Sequence, residues 1–465
     1  MKTDTIAAIA TGMSDSGIGI IRISGDNAIN VADQIYRAKN QNKKLCDVKS
    51  HTIHYGFIYD GEEPIDEVMV VVMKAPNTYT RENTIEIDAH GGILVMNKIL
   101  DVILKNGCRL AEPGEFTKRA FLNGRIDLSK AEAVMDIIHS KNEFALKASL
   151  QQLKGSVSDK VRSLREHILY EIAYIESALD DPEHISLERY HDKLQEKSLQ
   201  ISIELKKLVD SADNGKMLKD GINTVIVGKP NAGKSSLLNL LVGEDRAIVT
   251  SIAGTTRDVL EESIKLHGIG LNIIDTAGIR DTADEVEKIG VDRARKYAEN
   301  ADLIVYVVDS SCSLDENDRE IMELIASKKV IVLLNKSDLD QVVSESDIAE
   351  KMDLLSQNKA IKIIKTSTKE NVGIDVLELA VKELFFDGKI SINDEIYITN
   401  QRHKAALSEA YDSMQFVLES LDRNMPEDFY SIDLMNAYAA LGRIIGEEVE
   451  DDVVNEIFQK FCMGK

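Results

Sequence analysis

The chain has no paired-cysteine motif. Its four cysteines, Cys46, Cys108, Cys312 and Cys462, lie far apart and without Cys-x-x-Cys spacing. That excludes a disulfide framework and a zinc-ribbon type of site, and it fits reduced thiols. No apolar run is long enough to span a bilayer, and the N-terminus lacks a signal-peptide core, so a cytoplasmic location is expected. Positive charge is scarce: 56 Lys and Arg against 79 Asp and Glu leave a net charge of −23. Such a chain is not a general polyanion binder, although a local basic patch can still hold nucleic acid; Lys118, Arg119 and Lys130 are candidates. No Gly-x-Gly-x-x-Gly fingerprint follows a strand, so no flavin site is encoded.

What is present is an ordinary globular composition, 43% hydrophobic and 29% charged over 465 residues. That length suits roughly two to four domains. The most informative stretch is Gly228-Lys229-Pro230-Asn231-Ala232-Gly233-Lys234-Ser235. It fits the phosphate-binding pattern Gly-x-x-x-x-Gly-Lys-Ser, between a β-branched run (Asn223 to Val227) and a helix start (Ser235 to Val242). Strand, glycine loop and helix together aim backbone N–H groups and a helix N-terminus at an anion. Contacts to the phosphates are expected from Asn231, Ala232, Gly233, Lys234, Ser235 and Ser236. Lys234 would reach the β- and γ-phosphates, and Ser235 would hold Mg²⁺.

Four further signals follow in the order a GTPase needs. The first is a polar loop, Thr250, Ser251, Ile252, Ala253, Gly254, Thr255 and Thr256, running into Arg257 and Asp258. The Thr256 hydroxyl suits Mg²⁺ when a γ-phosphate is present, and loops of this kind order and disorder with hydrolysis. The second is a strand ending in Asp275, Thr276, Ala277 and Gly278; Asp275 would anchor the Mg²⁺ shell and the Gly278 N–H would sense the γ-phosphate. The third is Val330-Ile-Val-Leu-Leu-Asn335-Lys336-Ser-Asp338, a buried strand leading into Asn-Lys-x-Asp. Asp338 can accept from guanine N1–H and N2–H₂, an arrangement adenine lacks. The fourth is a strand from Ile361 ending in a base-contacting loop, Ser367, Thr368 and Lys369. Together these select GTP over ATP. Where Ras-type enzymes place a water-orienting Gln after the glycine, this chain has Ile279, so hydrolysis must be arranged otherwise. A downstream carboxylate, Glu285 or Glu287, or a monovalent cation near the Asn231 side chain would serve.

The rest of the chain divides by pattern. Residues 1–120 read as mixed α/β, with strands at Thr5 to Thr11, Gly17 to Ser24, Val68 to Met73 and Thr84 to Ala89, then a helix from Ile93 to Leu104. From Leu128 to Leu179 the pattern is helical, with Ala131, Val134, Ile137 and Ile138 on one stripe and Leu164, Ile168, Ile172 and Ile175 on another. A charged helix is predicted from Ser186 to Ala212, broken by Asp213-Asn-Gly215. Helices resume at Gln401 to Leu421, Ser431 to Ile445 and Val449 to Phe461. The layout predicts a helical domain with the nucleotide domain threaded through it, at 121–216 and 385–465 around 217–384. Two unrelated helical regions are the alternative.

Several stretches outside the nucleotide motifs are shared with one family. They are Asp4-Thr-Ile-Ala-Ala-Ile-Ala-Thr11, Gly19-Ile-Ile-Arg22-Ile-Ser-Gly25, Glu86-Ile-Asp-Ala-His90-Gly-Gly92, Pro113 through Leu128, and the ending Phe461-Cys-Met-Gly-Lys465. By these the whole chain resembles the tRNA-modifying GTPases called MnmE or TrmE, which act on the wobble uridine (U34). The implied fold class is multidomain α/β plus all-α: an N-terminal folate-binding-like and dimerising α/β domain, a discontinuous helical domain and an inserted Ras-like P-loop GTPase domain. The resemblance implies a 5-formyl- or methylene-tetrahydrofolate held by Arg22, Glu86, Arg125 and Lys465. It implies K⁺ held by Asn231, Thr250, Ile252 and Thr255, with GTP hydrolysis activated by dimerisation and Glu287 as the water-orienting or general-base residue. Cys462 is either a reactive thiol or a buried helical cysteine. An FAD-dependent partner, MnmG, is implied in a heterotetramer that adds an aminomethyl or carboxymethylaminomethyl group at uridine C5. A non-modifying RNA- or ribosome-associated switch is the competing reading.

Overall fold

The computed structural model describes residues 4–38, 43–180, 190–242, 262–266, 269–274, 301–355, 361–386, 396–447, 449, 451–461 and 464. The chain forms two compact units, Met1–Ile138 with Gln151–Ile201 and Glu409–Lys465, and His139–Leu150 with Ser202–Ser408.

The first unit holds a seven-stranded sheet. Its strands are β1 (Ile6–Ile9), β2 (Ser16–Ser24), β3 (Tyr36–Ala38), β4 (Thr52–Asp60), β5 (Glu63–Met73), β6 (Thr84–Gly91) and β7 (Arg109–Leu110), in the order β3-β4-β5-β6-β2-β1-β7. Alternation fixes the register. Ile21, Ile23, Val68, Val70, Val72, Ile85 and Ile87 point into one core with the helices Ala28–Ile35 and Ile93–Lys105. The intervening residues Arg22, Val71 and Glu86 lie on the opposite side, where Arg22 pairs with Glu86 across β2 and β6 and Val71 pairs with Glu86 across β5 and β6. A one-residue slip would bury the charges and expose the aliphatics.

The helices of this unit are also assembled from distant sequence. Leu128, Ala131 and Met135 of the helix Leu128–His139 share a core with Val454, Phe458 and Phe461 at the C-terminus. The helix Ser156–Asp180 packs on the helix Glu427–Ile445. Its expected stripe, Leu164, Ile168, Ile172 and Ile175, is buried throughout. The other predicted stripe is displaced: Ile138 is exposed and Val134 and Ile137 are only partly covered, because Leu128 and Met135 take the core-facing side.

The second unit holds a six-stranded sheet: β8 (Ile222–Val227), β9 (Glu262–Leu266), β10 (Ile269–Ile273), β11 (Leu303–Asp309), β12 (Val330–Asn335) and β13 (Ile361–Lys365), in the order β13-β12-β11-β8-β10-β9. Every neighbouring pair is parallel except β9 with β10. This is a Ras-like arrangement. β8, β11 and β12 read as almost unbroken aliphatic runs because a parallel sheet is covered on both faces. One layer carries Ile226, Val305, Val307, Ile331 and Leu333; the other carries Val225, Val227, Tyr306, Val332 and Leu334.

The predicted break at Asp213-Asn-Gly215 is not observed. The helix Tyr190–Asp220 runs through it without interruption. Gly215 is there for close approach: a Cβ on it would lie 2.2 Å from the Ile398 carbonyl oxygen. Helix propensity alone would make Gly215→Ala stabilising by about 1 kcal/mol. Crowding of backbone should cost more, about 1–3 kcal/mol. Gly215→Ala is therefore expected to lower the melting temperature of the protein; a rise in a thermal melt would contradict the assignment.

Candidate functional site

The described phosphate and base loops leave the carboxyl ends of the parallel strands β8, β12 and β13, the side on which open α/β sheets bind ligands. After β8 the backbone takes left-handed turns at Asn231 (φ 61°) and Gly233 (φ 106°), then enters the helix Lys234–Val242. The Lys234 ammonium donates to the Gly228 and Lys229 carbonyl oxygens, each at 2.7 Å. Burial pulls its pKa below the ordinary lysine value. A partly buried cation capping its own loop, with the first turn of a helix behind it, is suited to an incoming anion. Ser235 and Ser236 occupy that first turn.

β12 ends in Asn335, whose side chain is buried and uses both ends of its amide. Its Nδ2 donates to the Ala232 carbonyl oxygen at 2.8 Å and to Thr368 Oγ1 at 3.3 Å, and its Oδ1 accepts from the Thr368 N–H at 3.1 Å. A Cβ on Gly233 would stand 2.1 Å from that Nδ2. The glycine of the phosphate loop thus makes room for the asparagine of the base loop.

Around it the base loop closes on itself. Ser367 Oγ donates to Asp338 Oδ1 at 2.7 Å and accepts from the Glu370 N–H at 3.2 Å. The Ser367 hydroxyl holds the Asp338 carboxyl below its usual range, so it stays an ionised acceptor. Lys336, also left-handed (φ 64°), pairs with Asp309 at the end of β11. Burial alone would raise the Asp309 pKa, but the Lys336 ammonium and the Ser311 donors outweigh it and hold it low. Lys369 follows in the same loop. Among the expected nucleotide residues, Asn231 to Ser236, Asn335, Lys336, Asp338 and Ser367 to Lys369 are therefore brought to one place. Thr250 to Thr256, Asp275 to Gly278 and Glu287 lie outside the described residues.

A second cluster sits in the first unit. Arg22 Nε donates to Glu86 Oε1 at 2.8 Å, its Nη2 lies 2.7 Å from the same oxygen, and its Nη1 donates to the Gly464 carbonyl oxygen at 3.3 Å. The guanidinium carbon is 5.6 Å from the ring centres of both Tyr79 and Phe116, and that of Arg125 is 4.6 Å from Tyr79. Arg22, Glu86 and Arg125 are thus gathered around one tyrosine, with the penultimate residue of the chain beside them. Cys462 and Lys465 lie outside the described residues. Tyr79 and Phe116 were not singled out in the sequence. Tyr79 lies in a loop without periodicity, and Phe116 reads as one more core aromatic.

The candidate basic patch changes. Arg119 is buried, donating to Glu82, Glu115 and Asp4, and so is closed to a polyanion. Lys118 donates to Asn455 at 2.6 Å, and Lys130 lies 3.8 Å from Asp127. Among the described residues no helix is long and apolar enough to cross a membrane.

Comparison with known proteins covers the whole chain. The family model for the MnmE helical domain matches residues 128–462, and that for the GTP-binding protein TrmE N-terminus matches residues 5–125. A "tRNA modification GTPase MnmE" of Lachnoclostridium phytofermentans is 59% identical over 465 residues, covering 100% of both chains. Relatives of the same description from Clostridioides difficile and Staphylococcus epidermidis are 48% and 46% identical, covering 99% and 100% of both chains respectively. A solved structure, the G domain of the T. maritima FeoB iron transporter, is 25% identical, covers 35% of this chain and 98% of its own, and superposes with a TM-score of 0.26. That score is too low to carry a fold assignment, which rests here on strand order.

Proposed function

The chain belongs to the MnmE family of tRNA modification GTPases, and on that premise we propose that it hydrolyses GTP as one subunit of a complex modifying C5 of the tRNA wobble uridine, U34. The observation that carries this reading is a phosphate loop and a guanine-type base loop locked together by Asn335, in a chain matched along its entire length by tRNA modification GTPases.

The roles follow from the residues. Residues 231–236 would wrap the phosphates with backbone N–H groups, Lys234 and the helix N-terminus. Asp338, kept ionised by Ser367, would accept from guanine. Ser235 and Thr256 carry hydroxyls suited to Mg²⁺. Asn231 is held in a left-handed turn within the phosphate loop, and its side-chain oxygen, with Thr250, Ile252 and Thr255, suits K⁺. Such a cation would supply positive charge to the transferring phosphoryl group, where other GTPases use an arginine. Glu287 would orient the attacking water, because Ile279 has no group to do so.

The N-terminal cluster pairs a cation and a carboxylate beside two aromatic rings. That donor set suits a heteroaromatic ring with an exocyclic amino group and a carboxylate tail, which is the chemistry of a folate. Arg22, Glu86, Arg125 and Lys465 would hold a formyl- or methylene-tetrahydrofolate, which would supply the one-carbon unit. With ammonia or glycine as the amine that supplies the nitrogen, an aminomethyl or carboxymethylaminomethyl group would result, and an FAD-dependent partner of the MnmG type would supply the electrons that a formyl-level carbon needs. A homodimer joined to that partner in a cytoplasmic heterotetramer completes the reading.

A nucleoside digest of tRNA from a strain lacking this protein should show U34 without its C5 substituent. An unchanged digest would favour a non-modifying RNA-associated switch. GTP hydrolysis should run at least about tenfold faster in K⁺ than in Na⁺, a difference of about 1.4 kcal/mol in barrier. Equal rates would remove Asn231 from its cation role.

A further inference from the structure

Lys229, the second residue of the phosphate loop, is not part of the phosphate-binding pattern, yet its side chain is tethered by two carboxylates. Its ammonium lies 2.7 Å from Asp318 Oδ2 and 3.0 Å from Asp315 Oδ2. The two acids differ in kind. Asp315 is exposed, and an ion pair at such a site contributes little. Asp318 is buried, and a buried carboxylate must be met by donors on every side. It is: besides Lys229, the hydroxyl of the fully buried Tyr306 donates to Oδ1 at 2.8 Å, and the Asp315 N–H donates to Oδ2 at 3.0 Å. Asp315 in turn caps the helix Glu316–Ile325 by accepting from the Asp318 N–H at 3.2 Å. One carboxylate therefore joins the phosphate loop, the centre of β11 and a helix N-terminus.

The backbone of Lys229 is held as well. Its carbonyl oxygen accepts from Lys234 Nζ at 2.7 Å and from the Ala232 N–H at 3.3 Å. Burial pulls the Lys229 pKa down, but Asp318 and Asp315 outweigh it and hold it above the ordinary value, so the tether is a charged one. Residue 229 is pinned at both ends, immediately before the left-handed turn at Asn231.

We infer that the Lys229–Asp318–Tyr306 tether is a positioning device that keeps the phosphate loop open in its anion-binding shape before nucleotide arrives. Lys229 and Asp318 are positioning residues: their side chains bond to each other, that of Asp318 also to Tyr306, and neither belongs to the residues assigned to phosphate or base. Without the tether, binding must supply the ordering that the fold now provides in advance. The inference rests only on the loop's binding of guanine nucleotides.

The test is fluorescent-GDP affinity of the full chain. Lys229→Met, which keeps the aliphatic stem, should weaken GDP about tenfold, within the usual range for coupled sites. Lys229→Arg should stay within about twofold of the parent, because charge and reach are kept. Asp318→Asn should weaken GDP similarly, and the double variant Lys229→Met/Asp318→Asn should be no weaker than either single, the signature of one shared interaction. Should Asp318→Asn fail to fold through loss of the cap, Tyr306→Phe replaces it, with a smaller loss that again does not add to Lys229→Met. The preference for GDP over ADP should be unchanged in every folded variant, since the base loop is untouched; general loosening of the unit would move it. Lys229→Met binding GDP within about twofold of the parent, or losses that add, would overturn the inference. A parent chain that binds no GDP would instead refute the guanine-nucleotide reading.

Discussion

The Asn335 amide occupies the space that a side chain at Gly233 would fill, and the nucleotide site depends on that single fit. The phosphate loop belongs to β8 and the base loops to β12 and β13, so the order of parallel strands brings them only to the same edge of the sheet. What fixes their spacing is one buried side chain bonded to Ala232 on one side and to Thr368 on the other. A buried amide with all its groups satisfied is costly to displace, because any movement leaves a polar atom unpaired away from water. The constraint explains why a glycine, a small Ala and an Asn stand at these positions: the loops meet backbone to side chain with no space for more.

The N-terminal sheet follows a related logic with charge in place of an amide. Arg22 sits across from Glu86 in the register of β2 and β6, so the pair is a cross-strand contact dictated by alternation. Its third donor reaches Gly464. Gly464 adopts φ 86°, and a Cβ there would lie 2.4 Å from the Ile9 carbonyl oxygen, so at this residue the backbone itself makes the close approach. Phe458 and Phe461 anchor the approach in a core with Leu128 and Met135. Gly464 is thereby tied to the strand that carries Arg22.

Much of this could be read in the sequence. β8 and β12 announce themselves because strands buried on both faces are nearly continuous aliphatic runs ending in motif residues, whereas the edge strand β13 interleaves Ile with exposed Lys and is marked by the Ser367-Thr-Lys369 loop that follows it. The gathering of Arg22 and Glu86 could be anticipated only through family resemblance, since a charged residue in an alternating strand looks the same whether it faces solvent or a ligand. β4 carries no clear strand signature in sequence, for a packing reason. Its inward residues are His54, Gly56 and Ile58, and Gly56 leaves space that the Tyr36 ring fills, so the usual alternation of large apolar residues is absent. Gly215 misled in the opposite direction, since a glycine serving close helix–loop contact looks like a helix stop. The Lys229 tether was invisible because Asp318 is some ninety residues away and carries no motif. Tyr79, which joins Arg22 to Arg125, lies in an irregular loop.

The claim that one amide holds the two nucleotide loops in a common frame is open to direct measurement. Backbone hydrogen exchange of the nucleotide-free protein, compared with Asn335→Ala, reads each loop separately. The account predicts that exchange accelerates together in residues 228–235 and 366–370 while the strands between them keep their protection. Acceleration confined to the base loop, with the phosphate loop unchanged, would contradict it.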